Sequence, residues 1–109
     1  MLFRSKKLSP EAAVRLDSLI SGSVSKDVYK DCNFIIEAIF EELSLKQTLF
    51  KELESIVSEE CILASNTSSL SVQKMADGLK HPERVIGFHF FNPVAVMPLL
   101  EVEIGRAHV

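Results

Sequence analysis

Apolar positions recur along this chain with two different periods, and the alternation between those periods sets the fold expectation. Ser9-Pro10-Glu11 has the form of a helix start: a hydroxyl N-cap, proline at the first helical position and an acid in the first turn. Ala13, Leu16, Leu19 and Ile20 follow at helical spacing, and Gly22 is placed to stop that helix. "NFIIEAIF" then supplies a β-branched apolar run, Phe34 to Phe40, suited to a strand buried on both faces. In "SLKQTLFKELESIVSEE", Leu45, Leu49, Leu53 and Ile56 form one helical stripe, widened by Phe50 and Val57. "CILAS" predicts a second strand that ends in the polar stretch "NTSSLS". Leu70, Val72, Met75 and Leu79 suggest a short helix stopped near Gly78. "RVIGFHFF" reads as a third strand and "PLLEVEI" as a fourth. Strand, helix, strand, helix, strand is the order of an α/β fold with a parallel sheet and right-handed crossovers.

Composition narrows the function classes without naming one. The chain has 109 residues, one domain or part of one, with 47% hydrophobic and 25% charged residues. The formal charge is -3, with acids and bases interspersed and no basic block, which argues against a nucleic acid partner. No apolar run approaches the roughly 20 residues of a membrane span. The opening "MLFRSKK" is basic, but no signal-peptide core follows it. Cys32 and Cys61 have neither metal-motif nor disulfide spacing and read as buried small side chains, which fits a reducing intracellular compartment. No His/Cys/Asp cluster has metal-ligand spacing, so no metal is expected. The four glycines, Gly22, Gly78, Gly87 and Gly105, form no phosphate-cradling G-x-G-x-x-G.

Ligands of open α/β sheets bind beyond the carboxyl ends of the strands, and three polar groups fall there. His89 stands at the end of the third strand among Phe88, Phe90 and Phe91, with Asn92 after it. An imidazole can take and return a proton near neutral pH, and aromatic neighbours could shield it from water. Glu101 is the candidate carboxylate to stabilise the imidazolium and fix its tautomer. The bland alternative is a core histidine bonded to backbone and a strand-end glutamate in solvent; the pattern alone leaves both open. Asn66, Thr67, Ser68 and Ser69 could hold a substrate oxygen or a cofactor amide, or Ser69 or Ser71 could simply cap a helix. No histidine or acid adjoins Ser68 in sequence, so a serine nucleophile is not indicated. Glu41 and Lys46, taken as residues alone, read as a solvated charge pair at a helix N-terminus. His81 and His108 have no partner pattern.

"ASNTSSL", "PERVIGFHFFNPV" and "MPLLEV", in this order and spacing, resemble the NAD-binding domain of the L-3-hydroxyacyl-CoA dehydrogenases. "DCNFIIEAIFEELSLKQTLFKELE" is similar to that family's D-x-V-I-E-A strand and following helix, with Asn33 where the family usually has aspartate. The likeness covers about Leu8 to Val102. It implies a Rossmann-type α/β domain, of which residues 1–102 would be the later part, and oxidation of a 3-hydroxyacyl-CoA to the 3-oxoacyl-CoA with NAD as hydride acceptor. His89 would be the general base, Glu101 its orienting carboxylate, and Ser68 the contact to substrate oxygen and nicotinamide. Ile39, Phe40, Glu41, Lys46, Asn66, Ser68 and Asn92 would line the NAD site.

The same resemblance places the family's glycine-rich first βαβ unit before Met1. It places the helical domain after Val102, with an active-site asparagine and most of a homodimer interface. A chain without those parts is expected to be inactive by itself. The expected partner is an acyl-CoA, with no nucleic acid and no membrane. The compartment would be cytoplasmic in a bacterium, and mitochondrial matrix or peroxisome in a eukaryote. The closing residues 103–109, "EIGRAHV", depart from the family pattern and are expected to be a non-native tail. The rival readings are a dehydrogenase segment of a multifunctional hydratase/dehydrogenase protein of fatty-acid β-oxidation, and a non-catalytic structural relative.

Overall fold

Four strands form one sheet in chain order: β1 (Phe34–Glu37), β2 (Ile62–Ser65), β3 (Val85–Phe90) and β4 (Leu100–Ile104). The computed structural model describes residues 9–104. The β1–β2 and β2–β3 pairs are parallel, each joined through a helix, as the alternating periods predict. β4 runs antiparallel to β3, so the sheet is mixed rather than wholly parallel. The physical reason is the connection: residues 91–99 contain no crossover helix, and without one the chain returns beside the strand it left. Glu103 and Ile104 belong to β4, opposite Gly87 and Ile86; the rest of the expected tail, with His108, lies outside the described residues.

Helix α1 (Pro10–Ser18) begins as the sequence predicts, with the Ser9 hydroxyl accepting from the Ala12 N–H. It ends at Ser18, short of Gly22, and buries none of its residues: Leu16, Leu19 and Ile20 are exposed. The apolar stripe there is therefore not a core face within the described residues. Helix α2 (Leu43–Ile56) and the short α3 (Val72–Met75) pack together on one face of the sheet. Ser71 caps α3 by accepting from the Lys74 N–H, and Gly78 takes the positive φ of 85° that ends the following turn.

The core lies between that sheet face and the two helices. Phe50, Leu53 and Val57 of the α2 region meet Ile35, Leu63 and Val85 of the strands and Val72, Met75 and Leu79 around α3. Each fully buried side chain of this kind contributes roughly 1.5–3 kcal/mol. The buried stripe of α2 is rotated from the predicted one. Leu45 is 46% exposed, and Lys46 takes the inward position with no exposed surface. Cys61 is buried in the core, as expected, and Cys32 is half-buried against it.

The opposite sheet face carries Phe34, Ile36, Ile62, Val102 and Ile104, all exposed. The predicted first strand is also shorter than its apolar run. It stops at Glu37, whose Oε1 accepts from the Ile39 N–H at 2.8 Å and turns the chain out of the sheet. Ala38 to Phe40 are exposed loop.

Candidate functional site

Register across the sheet aligns the candidate residues in two rows. Glu37, Ser65, Gly87 and Glu103 are successive Cα partners across β1, β2, β3 and β4. Two residues further along β3, roughly 6–7 Å towards its carboxyl end, His89 is the Cα partner of Glu101. Both rows are on the sheet face that holds α2 and α3, since side chains alternate between faces along a strand. Gly87 gives α3 its approach: a Cβ there would lie 3.0 Å from Cγ2 of Val72, the first residue of that helix. The 66–71 loop that leads into α3 is thus brought next to the strand that carries His89.

His89 is half-buried, and its ring lies 5.1 Å from that of Phe91 at a 60° tilt. Phe88 packs edge-on against Phe34 and Phe90, on the other face of the sheet. The aromatic screen around the histidine is therefore Phe91, and not Phe88 and Phe90, because strand alternation sends those two rings away. Strand pairing sets His89 and Glu101 opposite each other; no hydrogen bond or ion pair links their side chains among the described residues. Asn92 follows on an exposed turn, joined to Pro93 by a cis peptide bond.

At the ends of β1 and β2 lies a second cluster. The Lys46 ammonium is 2.9 Å from Glu37 Oε1 and 2.9 Å from Glu41 Oε1. It also donates to Ser65 Oγ at 3.4 Å, while Ser65 Oγ donates to Glu37 Oε2. The side chains of Lys46 and Glu37 are 0% exposed and that of Glu41 is 37% exposed, so the charge pair that the residues alone suggest is buried at its lysine end and reaches solvent only through Glu41. Its buried charge is tolerated because opposite charges and a hydroxyl enclose it.

Glu41 links this network to the polar loop. Its Oε2 accepts from Thr67 Oγ1 at 2.7 Å, from the Ser68 N–H at 3.3 Å and from Ser69 Oγ at 3.2 Å. Burial pulls the Glu41 carboxyl up, but the Thr67 hydrogen bond and the Lys46 ammonium outweigh it and hold the pKa at about 2. Glu41 is ionised throughout the neutral range.

The structure therefore gathers Glu41, Lys46, Thr67 and Ser68 by direct contact, and His89 with Glu101 by register. Ser68 is exposed and Asn66 half-buried, its N–H bonded to the Glu37 carbonyl. Ile39 and Phe40 are on the exposed loop between β1 and α2. Two residues of the network, Glu37 and Ser65, were not singled out in the sequence. A glutamate inside the apolar run "NFIIEAIF" was the available signal, since a buried carboxyl requires a partner. A cleft of about 410 Å³ lies along β1, bordered by Tyr29, Cys32, Phe34 and Ile39. It follows the outer edge of the sheet and is not lined by His89, Glu101 or Ser68.

A family profile described as "3-hydroxyacyl-CoA dehydrogenase, NAD binding domain" matches residues 1–107. The chain is 44% identical over 96 residues to the glyoxysomal fatty acid beta-oxidation multifunctional protein MFP-a of Brassica napus, covering 88% of this chain and 13% of that protein. It is 45% identical over 89 residues to a 3-hydroxybutyryl-CoA dehydrogenase of Clostridioides difficile, covering 82% of this chain and 32% of that one. The crystal structure of an (S)-3-hydroxybutyryl-CoA dehydrogenase from Ralstonia eutropha superposes with a TM-score of 0.87 at 42% identity, over 93% of this chain and 36% of that one. The chain thus spans a third or less of the length of these two sequence relatives.

Proposed function

The chain belongs to the family of 3-hydroxyacyl-CoA dehydrogenase NAD-binding domains, and from that premise we propose that the protein carrying it oxidises a 3-hydroxyacyl-CoA to the 3-oxoacyl-CoA, with His89 as general base. The observation that carries this reading is the register that sets His89 opposite Glu101 at the carboxyl end of β3.

His89 takes the proton of the substrate 3-hydroxyl as the O–H bond breaks and the carbonyl forms. Bound NAD would supply the acceptor for the hydride leaving the carbon that bears this hydroxyl, so that the substrate loses one proton and one hydride. The imidazolium then returns its proton to solvent. Glu101 stabilises that imidazolium and orients the ring. Phe91 covers one side of it. Ser68, exposed beside the β2 end, holds the substrate oxygen.

The donor set suits the nicotinamide-ribose half of NAD. Glu41 is an ionised, partly exposed carboxylate able to accept from ribose hydroxyls. Asn66 and Asn92 offer amides, Ser68 a hydroxyl, and Ile39 and Phe40 form the adjoining loop. The phosphates find no glycine-rich cradle among these residues.

The test is NADH formation by the protein that carries this chain, with (S)-3-hydroxyacyl-CoA thioesters of several chain lengths and the free 3-hydroxy acids as controls. Thioester-dependent turnover is expected. A folded protein that binds NAD yet oxidises none of the thioesters overturns the reading. Monofunctional and multifunctional relatives match at near-equal identity. A hydratase assay on the same protein separates those two settings of the site.

A further inference from the structure

We infer that Thr67 is a positioning residue of the site: its one hydroxyl both fastens the bend that displays Ser68 and clamps the Glu41 carboxylate, so that the two groups keep a fixed relation. The inference rests on the reading of the site just given, in which Ser68 holds the substrate oxygen and Glu41 meets the ribose. A threonine hydroxyl has one proton to donate and lone pairs with which to accept. Thr67 Oγ1 donates to Glu41 Oε2 at 2.7 Å and accepts from the Leu70 N–H at 3.0 Å. The residue is 6% exposed, so water competes little for either bond.

The two bonds serve different segments. The bond from Leu70 spans residues 67–70 and closes the bend between β2 and α3. Local bonds of this kind, from a hydroxyl to a nearby backbone group, set the shape of a loop. Leu70 packs against the core, while Ser68 and Ser69 stay exposed on the bend. The bond to Glu41 reaches the loop between β1 and α2, 26 residues away in sequence. It is the shortest of the three that Glu41 Oε2 accepts; the Ser68 N–H and Ser69 Oγ stand at 3.3 and 3.2 Å. Burial raises the Glu41 carboxyl, and the Thr67 hydrogen bond heads the contacts that bring it down to about 2. β-Branching restricts χ1 of a threonine, so its hydroxyl is aimed before a ligand arrives. Site groups held to a working geometry need such support from residues behind them.

The experiment uses the full-length protein with Thr67→Val, Thr67→Ser, Ser68→Ala and the Thr67→Val/Ser68→Ala double variant. Thr67→Val keeps the shape of the side chain and deletes the hydroxyl. The Kd for NAD, from direct titration, is expected to rise about tenfold, and kcat at saturating NAD to fall about tenfold, each the size of one lost hydrogen bond to a charged or site group. Thr67→Ser keeps the hydroxyl and should restore both quantities to near wild type. Exchange of the Leu70 amide should accelerate in Thr67→Val and not in Thr67→Ser. Because the bend acts on turnover through Ser68, kcat of the double variant should fall no further than that of Ser68→Ala alone. Thr67→Ala, a smaller hydroxyl-free variant, gives the same readings should Thr67→Val not fold.

A Thr67→Ser protein as impaired as Thr67→Val, multiplied kcat losses in the double variant, or unchanged exchange of the Leu70 amide without the hydroxyl each overturns the inference. A wild-type protein that oxidises no acyl-CoA, in which loss of the hydroxyl still weakens NAD binding and frees the Leu70 amide, overturns the dehydrogenase reading and leaves the Thr67 clamp standing.

Discussion

His89 and Glu101 stand Cα opposite Cα across the antiparallel pair of β3 and β4, twelve residues apart in sequence and neighbours in the sheet. The pairing depends on the direction of β4. A parallel return would have put the glutamate elsewhere. The connection at residues 91–99 thus does chemical as well as topological work: it delivers a carboxylate to the strand end that bears the imidazole.

His89→Ala removes the proton acceptor and leaves the Glu41, Asn66 and Asn92 groups in place. In the full-length protein kcat should fall about 10²- to 10⁴-fold, with NAD affinity nearly unchanged. Steady-state kinetics and a direct NAD titration read the two quantities separately. Near-wild-type turnover would remove the general-base assignment.

Glu101→Gln keeps the size of the side chain and deletes its charge. The cost should fall on kcat and be smaller than for His89→Ala, because an orienting group is lost and the base remains. Both kcat values, measured beside wild type under the same buffer and salt, give the order. A Glu101→Gln variant as impaired as His89→Ala would require Glu101 to do more than orient.

The low pKa of Glu41, about 2 against an ordinary value of 4.5, couples stability to acid. Its folded-state value is depressed, so the contribution is complete above about pH 4.5. It is lost as pH falls towards about 2. The side chain is 37% exposed, so after discounting for solvent screening the contribution is on the order of 1 kcal/mol. Urea midpoints at stepped pH should fall over that window in the wild type and fall less steeply in Glu41→Gln. Parallel slopes for the two proteins would dismiss the coupling.

Arg84 should matter for stability and not for chemistry. Its Nη1 donates to the Ser58 carbonyl at 2.5 Å and the Cys61 carbonyl at 3.3 Å, and its Nη2 is 3.5 Å from Glu54 Oε2. The Arg84 side chain is only 7% exposed. Arg84→Ala removes these donors; the Ser58 carbonyl keeps the Cys61 N–H, and Glu54 keeps the Lys80 and His81 N–H groups, so the loss should be about 1–3 kcal/mol. Urea unfolding checks the loss, and kcat of the fraction that remains folded should be unchanged.

Periodicity revealed most of the element order, because strand and helix periods differ and the breaks carry turn residues. Ser9, Ser71 and Gly78 mark real boundaries for local reasons: two hydroxyl caps and one left-handed backbone position. What escaped was long-range. Counting apolar residues gave α2 a stripe through Leu45, while the inward position belongs to Lys46. That lysine is buried because Glu37 and Ser65 wait on two strands, and no local window contains all three. The direction of β4 was hidden for the same reason, since strand patterns carry no sign. The resemblance to a dehydrogenase family named the candidate site residues. It did not say that the Lys46 ammonium would be buried between Glu37 and Glu41.

Gly87 links packing to the site, and its replacement gives the last prediction. A Cβ at this position would lie 3.0 Å from Val72 Cγ2 and 3.1 Å from Glu103 Cβ. Val72 is 2% exposed within the core, so its methyl has little room to retreat. Gly87→Ala should therefore destabilise by about 1–3 kcal/mol through overpacking. It should also lower activity, since any shift of β3 moves His89 two residues along. Val72→Ala alone leaves a small cavity and costs a comparable amount. Combined, the two changes exchange a clash for space, so the double variant should be more stable than the sum of the singles predicts. Relief is partial, because the contact with Glu103 remains. Urea unfolding of the four proteins measures the coupling, and kcat on the same samples shows whether restored packing restores the base. Strictly additive unfolding energies would mean that α3 is not what requires glycine here, and would shift the constraint to β4.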